Sequence, residues 1–282
     1  MKISEFYLRI DSCSDDEIMN QNKLSQRHLS KSLDTQAKAI SAWSKQVKHH
    51  PSGKPVHELR LATRQARAAF WVLKNSSEHL RFKKLDRRLH KLEETLGKVR
   101  EIDVAIRDAN HYKIKSSQLI PNKMHAVKKL KKLVSSDSRK ELKKLLTEAR
   151  RSIQRMNSVK INEARKKLSE ILQNQLAQDL DGPKKLHKLR IAVKKARYAI
   201  EAMGQPIHPM DGSNHPNKAM NHPMKKLQDT LGQAHDLELL QGFTGKNAKI
   251  KAEQNVLNAK ALRLSRPALH FAVSQLKEHS SE

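Results

Sequence analysis

In VHELRLATRQAR, residues 56–67, His57, Arg60, Arg64 and Arg67 follow one another at steps of three, four and three. On an α-helix, at about 100° per residue, that spacing gathers one imidazole and three guanidinium groups into an arc of about 80° and a row about 15 Å long. Guanidinium forks take phosphate oxygens two at a time, so a row of them suits a string of phosphates better than one isolated anion. An imidazole in the same row donates from both ring nitrogens once protonated, and a nearby anion favours that form. The chemistry on offer is capture of an extended polyanion. The ordinary alternative is a solvated charged face. Repulsion between neighbouring like charges, about 0.2–0.5 kcal/mol per pair, does not exclude it. Against it stands the absence of interleaved Glu or Asp on the row, where a merely soluble helix alternates signs.

The pattern also recurs. LHKLRIAVKKAR, residues 186–197, sets His187, Arg190, Lys194 and Arg197 at the same steps, 130 residues further on. Lys194 stands where an arginine would repeat Arg64 and offers a point charge in place of a fork. Downstream, LEETLGKVREID at 92–103 is matched by LQDTLGQAHDLE at 227–238, 135 residues later. Two motifs in the same order read as a duplicated helical unit. In both copies the side opposite the cations is apolar: Leu59, Ala62, Ala66, Ala69, Phe70 and Leu73 in the first, Leu189, Ala192, Ala196, Ala199, Ile200 and Met203 in the second. A third row, Arg81, Lys84, Arg88 and Lys91, has the same spacing beside a seam of Leu85, Leu89, Leu92 and Leu96. Its counterpart keeps only Lys225 and Lys226, and for this row polyanion contact and solvated surface stand equally open.

The elements that must position these rows are helices. Of the 282 residues only 8 are Gly and 9 Pro. Leu, Ile and Ala recur at three- and four-residue steps between Lys, Arg, Glu and Gln. Alternating β-branched runs are missing, so the expected fold class is all-α with no sheet. Punctuation predicts helices over about 22–49, the opening motif to about 74, 77–96 ending at Gly97, 122–134, 138–178 and 183–203. A Pro- and Gly-rich loop precedes two final helices. The implied organisation is an N-terminal segment, residues 1–22, and a helical domain, 23–276, with halves of about 23–136 and 137–276. Residues 277–282 form a tail. Lys and Arg number 57 against 29 Asp and Glu, a net charge of +28, which calls for polyanions as partners. The single Cys13 excludes a disulfide framework and fits a reducing compartment. With no apolar leader-like core near residue 1 and no run of 18 apolar residues, the expectation is a soluble cytoplasmic protein without membrane association.

The two His/Arg segments, each followed by its LG segment (LGKVREIDV and LGQAHDLEL), resemble the two half-motifs of the CHAD family, the conserved histidine α-helical domain. The resemblance runs from about Lys23 to about Leu276. It implies two four-helix bundles related by a pseudo-twofold axis, with basic helices lining a central groove or pore that binds inorganic polyphosphate. By position, the ligands it implies are His57, Arg60, Arg64 and Arg67 in the first half, and His187, Arg190, Lys194, Arg197 and Tyr198 in the second. Arg100, in the first LG segment, is a further implied contact. Glu101 replaces the Asp expected after Arg100, and the second copy has His235 and Asp236 there. The acids are read as orienting neighbouring basic groups, and the role of His235 stays open. Recruitment of a partner to a polyphosphate granule is compatible with this reading.

Three rival readings attach to the same residues. Phosphate transfer or hydrolysis would use His57 or His187 as nucleophile. Such chemistry normally wants a metal–carboxylate cluster or a Gly-rich phosphate loop, and no G-x-x-x-x-G-K-[ST] is found, so the expectation is a non-catalytic protein. Nucleic-acid binding fits the charge. Two Trp, three Tyr and five Phe, however, leave few stacking platforms, so nonspecific, salt-sensitive binding is the expectation. His208, His215 and His222 lie at intervals of seven without cysteine or carboxylate partners and read as a hydrophilic loop, so no metal or cofactor is assigned. Binding is expected to weaken with salt and to strengthen as pH falls through about 6.5.

Overall fold

The apolar spacing resolves into helices throughout the residues that the computed structural model describes, 15–73, 79–155, 159–180, 182–203 and 223–277. Among them are nine helices and no strand: α1 (Asp15–His49), α2 (Gly53–Leu73), α3 (His79–His111), α4 (Leu119–Leu133), α5 (Ser136–Gln154), α6 (Val159–Leu176), α7 (Pro183–Ala202), α8 (Pro223–Thr244) and α9 (Ala248–Lys277). None is long and apolar enough to cross a membrane. His208, His215 and His222 lie outside the described residues, as does the loop that carries them.

The helices bearing the two cationic rows begin in similar ways. Gly53 opens α2 at φ +63°, its N–H donating to Asp103 Oδ2 at 3.2 Å, and Pro55 follows in the first turn. Gly182 precedes α7 at φ +101°, with Pro183 as the first helical residue. A positive φ needs glycine, and proline in the first turn gives up an N–H that has no helical partner anyway. On α2 the residues expected inside, Leu59, Ala62, Ala66, Ala69, Phe70 and Leu73, are all buried, and so are their six counterparts on α7. Burying one stripe of each helix leaves the His/Arg stripe facing outward from its own core.

Two boundaries differ from expectation. The third helix does not end at Gly97 but runs on to His111. Its seam of Leu85, Leu89, Leu92 and Leu96 continues unbroken through Val99 and Ile102, all buried, and this packing outweighs the roughly 1 kcal/mol that an interior glycine costs. A Cβ at Gly97 would lie 3.6 Å from Arg60 Nη2, an ordinary contact distance, so the helix passes through a glycine that the local space does not require. The long helix expected over 138–178 is two. Ser135 caps α5, accepting from the Ser138 N–H, and Arg155 closes it. The buried Leu142, Leu146, Ala149 and Ile153 send α5 against α1, whereas Ala164, Leu168 and Leu172 send α6 against α9. One straight helix cannot face both partners. Gln26 Nε2 donates to the Ile153 carbonyl at 2.8 Å, satisfying an end-of-helix acceptor from α1.

α1 packs on α2, α2 on α3, and α3 on α4. α6, α7, α8 and α9 pack among themselves. The two groups meet where α2 lies against α7 and α3 against α8. That contact brings the outward-facing cationic rows together.

Candidate functional site: a cationic cleft between α2 and α7

Arg60, Arg64 and Arg67 from α2 and Arg190, Lys194, Lys195 and Tyr198 from α7 line one cleft of about 400 Å³, with Ala68, Trp71, Glu93 and Ile191 completing its walls.

The guanidiniums differ in how they are neutralised. Arg64 Nε donates to Glu93 Oε1 at 3.1 Å, and Arg67 Nη1 to Glu93 Oε2 at 2.5 Å. Arg67 Nε also reaches Asp86 Oδ1 at 3.3 Å. Burial opposes the charge on Glu93, but Arg67 and Arg64 outweigh it and hold the carboxyl below its ordinary range. Arg60 is less well served. Its nearest acid is Glu101, with Oε1 4.0 Å from Nη2, and its buried Nε has no hydrogen-bond partner. Burial, then Arg64, pushes the Arg60 guanidinium down to about 10. Arg190 also has an unpartnered buried Nε. Burial lowers its value against the pull of Asp236.

Lys194 is the extreme case. It makes no hydrogen bond or ion pair among the described residues. Burial, then the guanidiniums of Arg190, Arg64 and Arg60, push its ammonium down to about 6. Three like charges from two helices thus converge on one amine. A cleft that holds cations in this way has little internal anion to release and is suited to an external one.

Tyr198 is buried between two guanidiniums, Arg64 Cζ lying 5.8 Å and Arg197 Cζ 4.5 Å from its ring centre. Arg197 itself stays outside the cleft lining, held by Gln228 Oε1 at 3.0 Å and Glu201 Oε1 at 3.2 Å. His57 and His187 are exposed and do not line the cleft. His187 instead shares a small recess with Arg190, His235 and Glu238, its ring 5.6 Å from that of His235. His235 Nδ1 lies 3.3 Å from Glu238 Oε2, and burial, then Arg190, lowers its value. Arg100 is half-buried on α3.

The row on α3 goes elsewhere. Glu141 of α5 pairs with Lys84 at 2.9 Å and with Arg88, so an acid from another helix takes this charge. Lys91 lines a separate groove with Lys98, His125 and Lys129, and the side chain of Arg81 lies outside the described residues. Lys225 and Lys226 sit in the first turn of α8, away from the cleft lining. Sequence reasoning did not single out Trp71, Lys195 or Glu93. Lys195 Nζ stands 4.3 Å over the Trp71 ring. Trp71 lies four residues beyond Arg67 and so continues the same stripe, a signal that was available. Glu93 gave no signal, because the pairing depends on how α3 sits against α2. Among the described residues no three His, Cys, Asp or Glu side chains gather into a metal-binding group.

The CHAD domain family model matches residues 31–244. The chain belongs to the CHAD domain family. The crystal structure of the CHAD domain from the plant Ricinus communis superposes with a TM-score of 0.58 at 18% identity, over 89% of this chain and 91% of that one. At that identity the likeness speaks for the fold, and the all-helical CHAD architecture is what the two share. No curated protein matches the chain. The match spans α2, α3, α7 and α8, so both cationic rows and both LG segments lie within the CHAD region.

Proposed function

We propose that this CHAD domain binds inorganic polyphosphate in the cleft between α2 and α7, without turning it over. The observation that carries the reading is the convergence of Arg60, Arg64, Arg190 and Lys194 on one cleft with Glu93 as the acid on its wall. A string of phosphates supplies closely spaced anions to forks and a point charge set along two facing helices. Binding without turnover is favoured because neither His57 nor His187 lines the cleft. The partner implied is an intracellular polyphosphate pool, and nonspecific nucleic-acid binding is a side effect of net charge.

The reading includes an internal duplication with a pseudo-twofold relation, α2 with α7 and α3 with α8. Contacts at matched positions support it. Arg67 bonds Glu93 while Arg197 bonds Gln228, and Arg60 faces Glu101 while Arg190 faces Asp236. The halves expected from the sequence, about 23–136 and 137–276, divide at the start of α5; the packing of α5 on α1 and of α6 on α9 favours a later junction, between α5 and α6.

The test is titration with polyphosphate of defined lengths at several salt concentrations, for wild type and the double substitution Arg60→Ala with Arg190→Ala. Charged hydrogen bonds are worth about 1.5–3 kcal/mol each, so the double variant is expected to bind roughly a hundredfold more weakly or worse. Its salt dependence should also be shallower. Unchanged affinity in a variant of unchanged helicity would overturn the reading, as would duplex DNA that long polyphosphate fails to displace.

A further inference from the structure

We infer that Lys194 is an acylation site for small acyl phosphates, with the surrounding arginines holding the phosphate and the lysine amine acting as nucleophile. The inference rests on the phosphate-binding reading of the cleft. Lys194 lines that cleft with Arg60 and Arg64 from α2, Arg190 from its own helix and Glu93 from α3. From α8 the charge of Asp236 acts on it in the opposite sense. Asp236 is itself opposed by burial. Lys194 has no ion pair or hydrogen bond of its own among the described residues.

Of the converging cations, only the lysine readily sheds its proton, because guanidiniums keep theirs. Burial and those guanidiniums bring the amine of the unliganded cleft down to about 6, so at neutral pH it meets an arriving acyl phosphate with a lone pair, before bound negative charge can restore its proton. Desolvation and an adjacent cation are how a lysine becomes a nucleophile. The neighbouring Lys195 differs: its Nζ stands 4.3 Å over the Trp71 ring in a cation–π contact.

An acyl phosphate places an activated carbonyl carbon next to a phosphate. The Lys194 Nζ lone pair attacks that carbon, and the bond between the carbonyl carbon and the bridging oxygen breaks. Inorganic phosphate departs with the electron pair, and the proton from nitrogen passes to it. The products are an amide and phosphate, and nothing is oxidised or reduced. The arginines stabilise the charge that grows on the departing phosphate. An acylated Lys194 no longer takes up a proton, so the modification lowers the affinity of the cleft for polyanions.

The experiment treats the full chain with acetyl phosphate between pH 5 and 9 and follows each lysine by peptide mass spectrometry. The exposed Lys188 on the same helix is the reference, and polyphosphate binding is measured in parallel. The expected result is acetylation of Lys194 at least tenfold faster than Lys188 at pH 7, with a rate that rises through about pH 6 and is suppressed by inorganic triphosphate. N-hydroxysuccinimidyl acetate, which carries no phosphate, should show a smaller preference for Lys194. Equal preference with both reagents, in a protein that binds no polyphosphate, overturns this proposal together with the polyphosphate reading. A protein that binds polyphosphate but acetylates Lys194 no faster than Lys188 overturns the acylation alone.

Discussion

On the proposed polyphosphate reading, Lys194 is expected to make binding a proton-uptake reaction. In the free protein its ammonium is pushed down to about 6 by burial and by Arg190, Arg64 and Arg60, so above neutral pH the amine is mostly uncharged. A polyphosphate in the cleft adds negative charge and moves the amine back toward the ordinary lysine value of about 10.4. Between those two values the complex holds one proton more than the free protein. Affinity is therefore fully expressed below about pH 6 and falls by about tenfold per pH unit above it. From pH 6, where the amine is already half deprotonated, to pH 8 this single group accounts for a loss of about fiftyfold. Calorimetry in buffers of different ionisation enthalpy counts the proton directly: close to one taken up per site at pH 8, close to none at pH 5. Lys194→Arg, which stays charged, is expected to keep binding and to remove this slope. Subtracting the two variants also cancels titration of the polyphosphate ends. Lys194→Arg leaves His57 and His187 in place, so loss of the slope in that variant assigns it to Lys194. Equal affinities of wild type at pH 7 and pH 8, with no proton uptake, would refute the reasoning.

Glu93→Gln removes the carboxylate that accepts from Arg64 and Arg67, and is expected to lower stability by about 1–3 kcal/mol while strengthening polyphosphate binding. Because Glu93 sits below its ordinary value when folded, its stabilisation is present above about pH 4.5 and lost as pH falls through the lowered value. Urea melts from pH 3 to 7 should show that acid loss shrinking in the variant; an identical profile refutes it. Lys84→Ala with Arg88→Ala should leave polyphosphate affinity within about twofold of wild type, because Glu141 already takes both charges. A loss beyond about tenfold in titration would return that row to the binding site. Gly97→Ala should raise the melting temperature, since the added Cβ meets Arg60 at ordinary contact distance and the helix gains up to about 1 kcal/mol. Gly97→Leu should instead displace the Arg60 guanidinium and weaken binding, and a destabilised Gly97→Ala would show the approach to be tighter than the geometry gives.

The helical class and the inward faces of α2 and α7 were legible because a stripe of Leu and Ala at three- and four-residue steps has only one way to be buried. The same periodicity carried the cationic rows. Punctuation was less dependable. Gly97 looked like a helix end because sequence shows the missing side chain and not the packing of Leu96, Val99 and Ile102 that carries α3 past it. The run from Ser138 to Gln178 looked like one helix because its pattern never says that two halves bury against different partners. The α3 row and the α2 row have the same spacing, yet one meets Glu141 and the other faces α7. Spacing reports what shares a face. What the face meets depends on packing between helices far apart in the chain, and Glu93 and Glu141 entered only there.

The distribution of acids across the cleft carries a final consequence. A fold selected only for its own stability would place carboxylates beside its half-buried cations, and at one end this one does: Glu93 serves Arg64 and Arg67. At the position matched to Glu93 in the second copy stands Gln228, which accepts from Arg197 without adding negative charge. Toward the centre the neutralisation thins: Arg60 reaches Glu101 only at 4.0 Å, the Nε atoms of Arg60 and Arg190 lack hydrogen-bond partners, and the Lys194 ammonium is pushed down to about 6. Each of these is unfavourable in the free protein, because buried charge without a partner costs several kcal/mol unless it is paired or neutralised. The buried faces of α2 and α7 offset that cost, since they supply their apolar area whether or not the cleft is filled. The unfavourable charge is then available as binding energy to whatever anion neutralises it, and only an anion long enough to reach both helices relieves all of it at once.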